Sequence, residues 1–137
     1  MDLKFSSVAA TPSNPNWNNL ISRKDELYKK ENDVRSEFER DYDRIIYCNA
    51  YRRLKHKTQV FFLPKNDHIC TRIEHVNNVD ATSYTIAKAL GLNTTLTRAI
   101  SISHDIGHSP FGHKGEQILN RICMENDLEA FWHERNG

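Results

Sequence analysis

Residues 104–116 read His-Asp-Ile-Gly-His-Ser-Pro-Phe-Gly-His-Lys-Gly-Glu. Three histidines, an aspartate and a glutamate surround a Ser-Pro-Phe-Gly break that no unbroken helix can span. Neighbours on a helix point about 100° apart, so His104 and Asp105 can face one ion only at a helix end or a distortion. Gly107 and Ser109-Pro110 supply that end. An imidazole and a carboxylate suit a borderline or hard divalent ion such as Mn²⁺, Fe²⁺, Zn²⁺ or Mg²⁺. No cysteine lies nearby to favour zinc. Two ligands seldom hold such an ion, and His75 is the best-placed third. It lies on the helix that ends at Gly91, and the short loop after Gly91 makes the next helix an antiparallel neighbour. Counted from that turn, His75 and His104 stand at comparable heights.

Outward from this stretch the periodicity is helical. Ile73, Val76, Val79, Tyr84, Ile86, Ala87 and Leu90 form a stripe closed by Gly91 as a C-terminal cap. Asn93 or Thr94 caps a helix through Leu96, Ala99, Ile100 and Ile102 to His104. Ser109 as N-cap and Pro110 at the first helical position restart the chain, and Ile118, Leu119, Ile122 and Leu128 give the next apolar face. On the N-terminal side, firm periodicity begins at Tyr42 and runs through Ile45, Ile46, Ala50 and Leu54. The apolar segment 60–64, VFFLP, reads as strand-like or irregular. Residues 23–44 are charge-dominated and read as a solvated helix or linker. Residues 1–16 read as a poorly ordered arm, with Asn14 or Asn16 capping a short helix through Trp17, Leu20 and Ile21. The expectation is an all-α domain with short connections, preceded by an arm and short polar helix over 1–35.

The chain has 137 residues, 38% hydrophobic, which suits one modest core. A net charge of +1 gives no global attraction to nucleic acid or membrane, so anion binding must be local. No apolar run is long enough to span a bilayer, and the N-terminus does not read as a signal peptide. Cys48, Cys70 and Cys123 form no C-x-x-C pair and read as reduced, buried thiols of a cytoplasmic protein.

Together, YRRLKHKTQV (51–60), TRIEH (71–75) and HDIGHSPFGHKGE (104–116) carry a specific resemblance. They are similar to the deoxynucleoside triphosphate triphosphohydrolases (dGTPase-like) of the HD-domain phosphohydrolase superfamily, over roughly residues 40–137. The resemblance implies an HD-domain helical bundle, incomplete at its C-terminus, with 36–137 as the N-terminal part of the phosphohydrolase domain. His75, His104 and Asp105 then correspond to three of four metal ligands. The fourth is expected on a later helix, and the chain is expected to be a fragment inactive alone. The implied cofactor is Mn²⁺ or Mg²⁺, ahead of Fe²⁺, Zn²⁺ or Ni²⁺.

The same resemblance implies that Arg72 grips phosphate, three residues before His75 on one helix face. Gln59 and Val60 correspond to deoxyribose and base contacts, and His108 to a contact near the α-phosphate. Arg53, with Arg52, Lys55 and Lys57, adds to a local anion patch. His113 and Glu116, spaced i, i+3, correspond to a catalytic pair in which the carboxylate orients a protonated imidazole. The ending FWHERNG makes His133 a second general-acid candidate. The implied reaction is attack of water on the α-phosphorus, releasing deoxynucleoside and inorganic triphosphate. Homo-oligomers are expected for the full-length protein. The competing readings are an HD phosphohydrolase acting on nucleoside monophosphates or cyclic nucleotides, and a non-catalytic nucleotide- or single-strand nucleic-acid-binding module.

Overall fold

The computed structural model describes residues 4–57, 66 and 68–136, and among them there is no strand. Six α-helices follow in order: α1 Trp17–Leu20, α2 Glu37–Tyr47, α3 Asn49–Arg53, α4 Arg72–Leu90, α5 Thr94–Ser103 and α6 Gly112–Glu125. The described residues are all-α, as the sequence leads one to expect. Segment 60–64, Gln59 and Val60 lie outside the described residues.

Helices α4 and α5 form the frame, with α2 packed across α5. Gly91 ends α4 in the left-handed conformation, φ 77°, and the Leu92 N–H returns to the Ala87 carbonyl at 2.9 Å. Two residues later the Asn93 carboxamide oxygen accepts the Leu96 N–H at 2.9 Å and starts α5. This tight turn sets α4 and α5 antiparallel. Leu54, Val76 and Ile102 are fully buried between the helices, with Tyr42, Ile45, Ile46, Tyr51, Ile73 and Ile106 packed around them.

The α4 stripe is narrower than the sequence suggested. Val76 and Ala87 are buried, but Tyr84 and Ile86 are exposed, as is Ile100 on α5. Asp80 occupies a buried position on α4 instead, and Arg98 holds it with bonds of 3.0–3.2 Å. Arg98 also donates to the Tyr42 hydroxyl at 3.0 Å and lies over its ring. A polar triad therefore ties α2, α4 and α5 where a sequence reading assigns only hydrophobes.

The expected periodic run after Tyr42 is broken at Cys48, whose extended backbone separates α2 from α3. Its sulfur accepts the Tyr51 N–H at 3.3 Å. Helix α2 starts at Glu37, inside the charged stretch, because Ser36 and Glu39 exchange hydrogen bonds as a capping box. The Ser-x-x-Glu pattern was the overlooked signal. Residues 23–35 are not helical; Arg23–Asp41, Arg35–Asp43 and Lys29–Glu37 ion pairs fasten them to α2.

The arm, described from residue 4, is not loose. The Phe5 N–H bonds the Leu90 carbonyl at 3.0 Å, Asn93 donates to the Ala10 carbonyl, and Ala9 is buried. Of the cysteines, Cys70 is exposed and the other two half-buried, so none is the fully buried thiol expected.

Helix α6 restarts later than the Ser-Pro signal implies. Phe111 and Gly112 both adopt left-handed backbone, φ 63° and 59°, and helical structure begins only at Gly112. Ser109 donates its hydroxyl to the Gly112 carbonyl at 2.9 Å rather than capping. Ile118, Ile122 and Leu128, expected as a core face, are exposed.

Candidate metal and phosphate site

The site begins where α5 ends. Ser103 is its last helical residue, and His104 through Gly107 form turns. That change of direction lets adjacent residues face one point. His104 donates its Nδ1 proton to the Ser101 carbonyl at 2.6 Å, which leaves the Nε2 lone pair free. Nε2 stands 3.8 Å from Asp105 Oδ2. His75 comes from the first turn of α4, and its ring centroid lies 5.6 Å from that of His104. Ligand atoms of His75, His104 and Asp105 all lie within 4.8 Å of one another. Two imidazoles and one carboxylate, one imidazole with its tautomer set by a backbone carbonyl, fit a divalent ion.

Arg72, the first residue of α4, donates to Asp105 Oδ2 at 2.8 Å. Both side chains are largely buried. Burial pushes the Asp105 carboxyl up, but the Arg72 hydrogen bond and charge outweigh it and hold the group below the usual carboxylate range. Arg72 Nε is buried and unpartnered, so this guanidinium has a donor to spare.

His108 is 3% exposed, and neither ring nitrogen has a partner. Its Nδ1 is 3.9 Å from Asp105 Oδ1, too far for a hydrogen bond. Burial, then the Arg72 charge, pushes its pKa down to about 4, so the ring is neutral near pH 7. Two orphaned nitrogens in a buried ring leave room for a polar ligand atom.

Beyond His108 lies His133. Its backbone N–H and its Nδ1 both donate to Glu116 Oε1, at 3.0 and 2.7 Å. The same carboxylate reaches only within 3.6 Å of His113 Nδ1 through Oε2, and the His113 side chain is 82% exposed. Burial pushes the Glu116 carboxyl up, and its hydrogen bonds to His133 more than compensate, so it stays ionised. The His108 and His133 rings are 4.9 Å apart, and Asp105, His108 and His133 form a second group with ligand atoms within 4.8 Å. A groove of about 460 Å³ between α6 and the following segment opens beside them, lined by His113, Glu116, Gln117, Asn120, Phe131 and Trp132.

The fold thus gathers His75, His104, Asp105, Arg72, His108, Glu116 and His133 in one region, with His113 at its open edge. Arg53 ends α3 and is exposed. His56 and His68 are exposed as well. Sequence reading gave Lys57 no role beyond the anion patch, and it overlooked the Ser101 carbonyl. An i−3 carbonyl below a histidine at a helix end was the available signal for the latter.

Residues 72–137 match the HD domain family model. The chain is similar to a deoxyguanosinetriphosphate triphosphohydrolase-like protein of Caldanaerobacter subterraneus subsp. tengcongensis. The two are 54% identical over 90 residues, 66% of this chain and 26% of the relative. Proteins of the same description match from Desulfatibacillum aliphaticivorans, 53% identical over 104 residues (76% and 28%), and Pelagibacter ubique, 48% over 114 residues (81% and 30%). The matched part of the chain spans between a quarter and a third of the length of these relatives. No helix among the described residues is long and apolar enough to cross a membrane.

Proposed function

We propose that this chain supplies the N-terminal portion of a metal-dependent phosphohydrolase site that cleaves a deoxynucleoside triphosphate, dGTP first, into deoxynucleoside and inorganic triphosphate. The observation that carries it is the convergence of His75, His104 and Asp105 beside the spare donor of Arg72 and the empty-handed ring of His108. The names of the similar proteins support the substrate class.

Bound to His75, His104 and Asp105, a divalent ion, Mn²⁺ or Mg²⁺ before Fe²⁺, Zn²⁺ or Ni²⁺, would supply Lewis-acid polarisation of the phosphate and acidify water. The fourth ligand comes, on this reading, from sequence beyond these residues. Arg72 turns its spare N–H groups on the phosphate oxygens, and Arg53 meets the outer phosphates. Neutral His108 can either donate to a phosphoryl oxygen or accept from water. Water attacks the α-phosphorus and the bond to the 5′ oxygen breaks. His133 or His113, both within reach of the Glu116 carboxylate, returns the proton to that oxygen. Gln59 and Val60 take the sugar and base. The whole protein is proposed to act as a cytoplasmic homo-oligomer.

The test is incubation of dGTP with Mn²⁺ and either this chain or one extended to the relatives' length, with phosphate products separated. Triphosphate release that is abolished by Asp105→Ala supports the proposal. Hydrolysis of monophosphates or cyclic nucleotides instead moves the chain to another branch of the superfamily. Nucleotide or single-strand binding without turnover in the longer chain makes it a binding module.

A further inference from the structure

Lys57 touches both halves of the candidate site. Its carbonyl accepts the Arg72 N–H at 2.9 Å, at the start of α4. Its ammonium donates to the His108 carbonyl, 51 positions along the chain. The 3₁₀ turn Leu54–His56 that delivers it is anchored by fully buried Leu54. The neighbouring cations Arg52, Arg53 and Lys55 are exposed, whereas Lys57 is half-buried.

The two elements it joins need joining. Helices α4 and α5 are packed along their length, but the segment after Ser103 has left α5 and no longer inherits its register. Its internal bonds are short-range: Ile106 N–H to the Ser103 carbonyl and His108 N–H to the Asp105 carbonyl. Besides the packing of Ile106 on the core, two polar links among the described residues tie this segment to the start of α4. One is the Arg72–Asp105 ion pair, and the other is Lys57 to the His108 carbonyl. The His108 ring makes no hydrogen bond of its own, so its aim toward Asp105 and His133 depends on where its backbone is held. Burial, then the Arg53 charge, lowers the Lys57 pKa, so the protein holds this ammonium at an electrostatic cost that a solvated lysine avoids.

We infer that Lys57 is a positioning residue: it fastens the His104–His108 segment to the N-terminus of α4 and so aims the His108 ring. The inference rests on the proposed reading of that segment as the catalytic one, and hydrogen exchange tests it without substrate. A charge-assisted hydrogen bond of this kind corresponds to roughly ten- to hundredfold in a local opening equilibrium. In Lys57→Met, the amides of Ile106 and His108 should exchange faster by about that factor, while Val76 and Ile102 keep their rates. Lys57→Arg, which retains a donor, should restore slow exchange. In the active protein, Lys57→Met should lower kcat with KM little changed. Unchanged exchange at Ile106 and His108 overturns the inference, as does equal acceleration across α4 and α5, which means general destabilisation. A rise in KM alone also overturns it, because Lys57 is then a phosphate contact. Absence of turnover in the unsubstituted protein defeats the proposed function, and the exchange comparison still decides Lys57.

Discussion

At the scale of single residues, hydrogen bonds at the candidate site fix which ring nitrogens carry protons. The Ser101 carbonyl fixes the His104 tautomer, and Glu116 fixes that of His133 through two donors on one oxygen. Replacing Glu116 by Gln keeps the shape and removes the carboxylate charge that faces the His133 Nδ1. On the proposed function, kcat for triphosphate release should fall about a hundredfold, the lower end of general acid–base contributions. Gly115 is set by a different constraint. A Cβ there would lie 1.8 Å from the Pro110 carbonyl oxygen, and that oxygen is backbone. Gly115→Ala must therefore shift the turn between His108 and α6. A destabilisation of about 1–3 kcal/mol, typical of overpacking, should appear in thermal melts.

At the scale of elements, α2 and α6 stand in contrast. Helix α2 is held by caps and ion pairs as much as by its apolar face. Arg40 and then Lys29 lower the Glu37 carboxyl, and Ser36 lowers that of Glu39. Groups with depressed folded-state values contribute stability that is complete above their unfolded values and lost as pH falls through the folded ones. The contribution of these two carboxylates should therefore decline only below about pH 4.5, the ordinary Glu value. The charged segment 23–35 should leave α2 before α4 and α5 unfold, as amide exchange against pH can show. Added salt should advance that release, because these pairs are largely solvent-screened. Helix α6 has Gly115 as its one buried residue among those described. Ile122→Glu should change the melting free energy by no more than about 0.5 kcal/mol, as expected of surface substitutions.

At the scale of the whole molecule, one small core carries the frame. Leu54, Val76 and Ile102 come from three separate segments and meet beneath the candidate site. Ile102→Ala should cost about 2–5 kcal/mol and loosen His104 and Asp105, which follow directly on the same turn. Metal binding gives a check on assembly of the site independent of turnover. Visible absorption of added Co²⁺ should report His75, His104 and Asp105 together, and Asp105→Asn should weaken binding at least tenfold, by analogy with the order of effect at ligating shells.

Much of this was legible in the sequence. The caps at Asn93 and Gly91, the helical period through Val76 and Ile102, and the bend at 104–112 are all local, and local chemistry is what a sequence displays directly. What the sequence alone determined was therefore the all-α class, the turn that sets α4 against α5, and the residues offered to a divalent ion. Tertiary structure decided how those residues share their partners: that Glu116 binds His133 more closely than His113, that Arg72 leans on Asp105, and that Asp80 takes a core position on Arg98. It also decided that the apolar residues of α6 stay open. Each of these depends on distances between segments remote in the chain, which packing fixes and periodicity cannot encode.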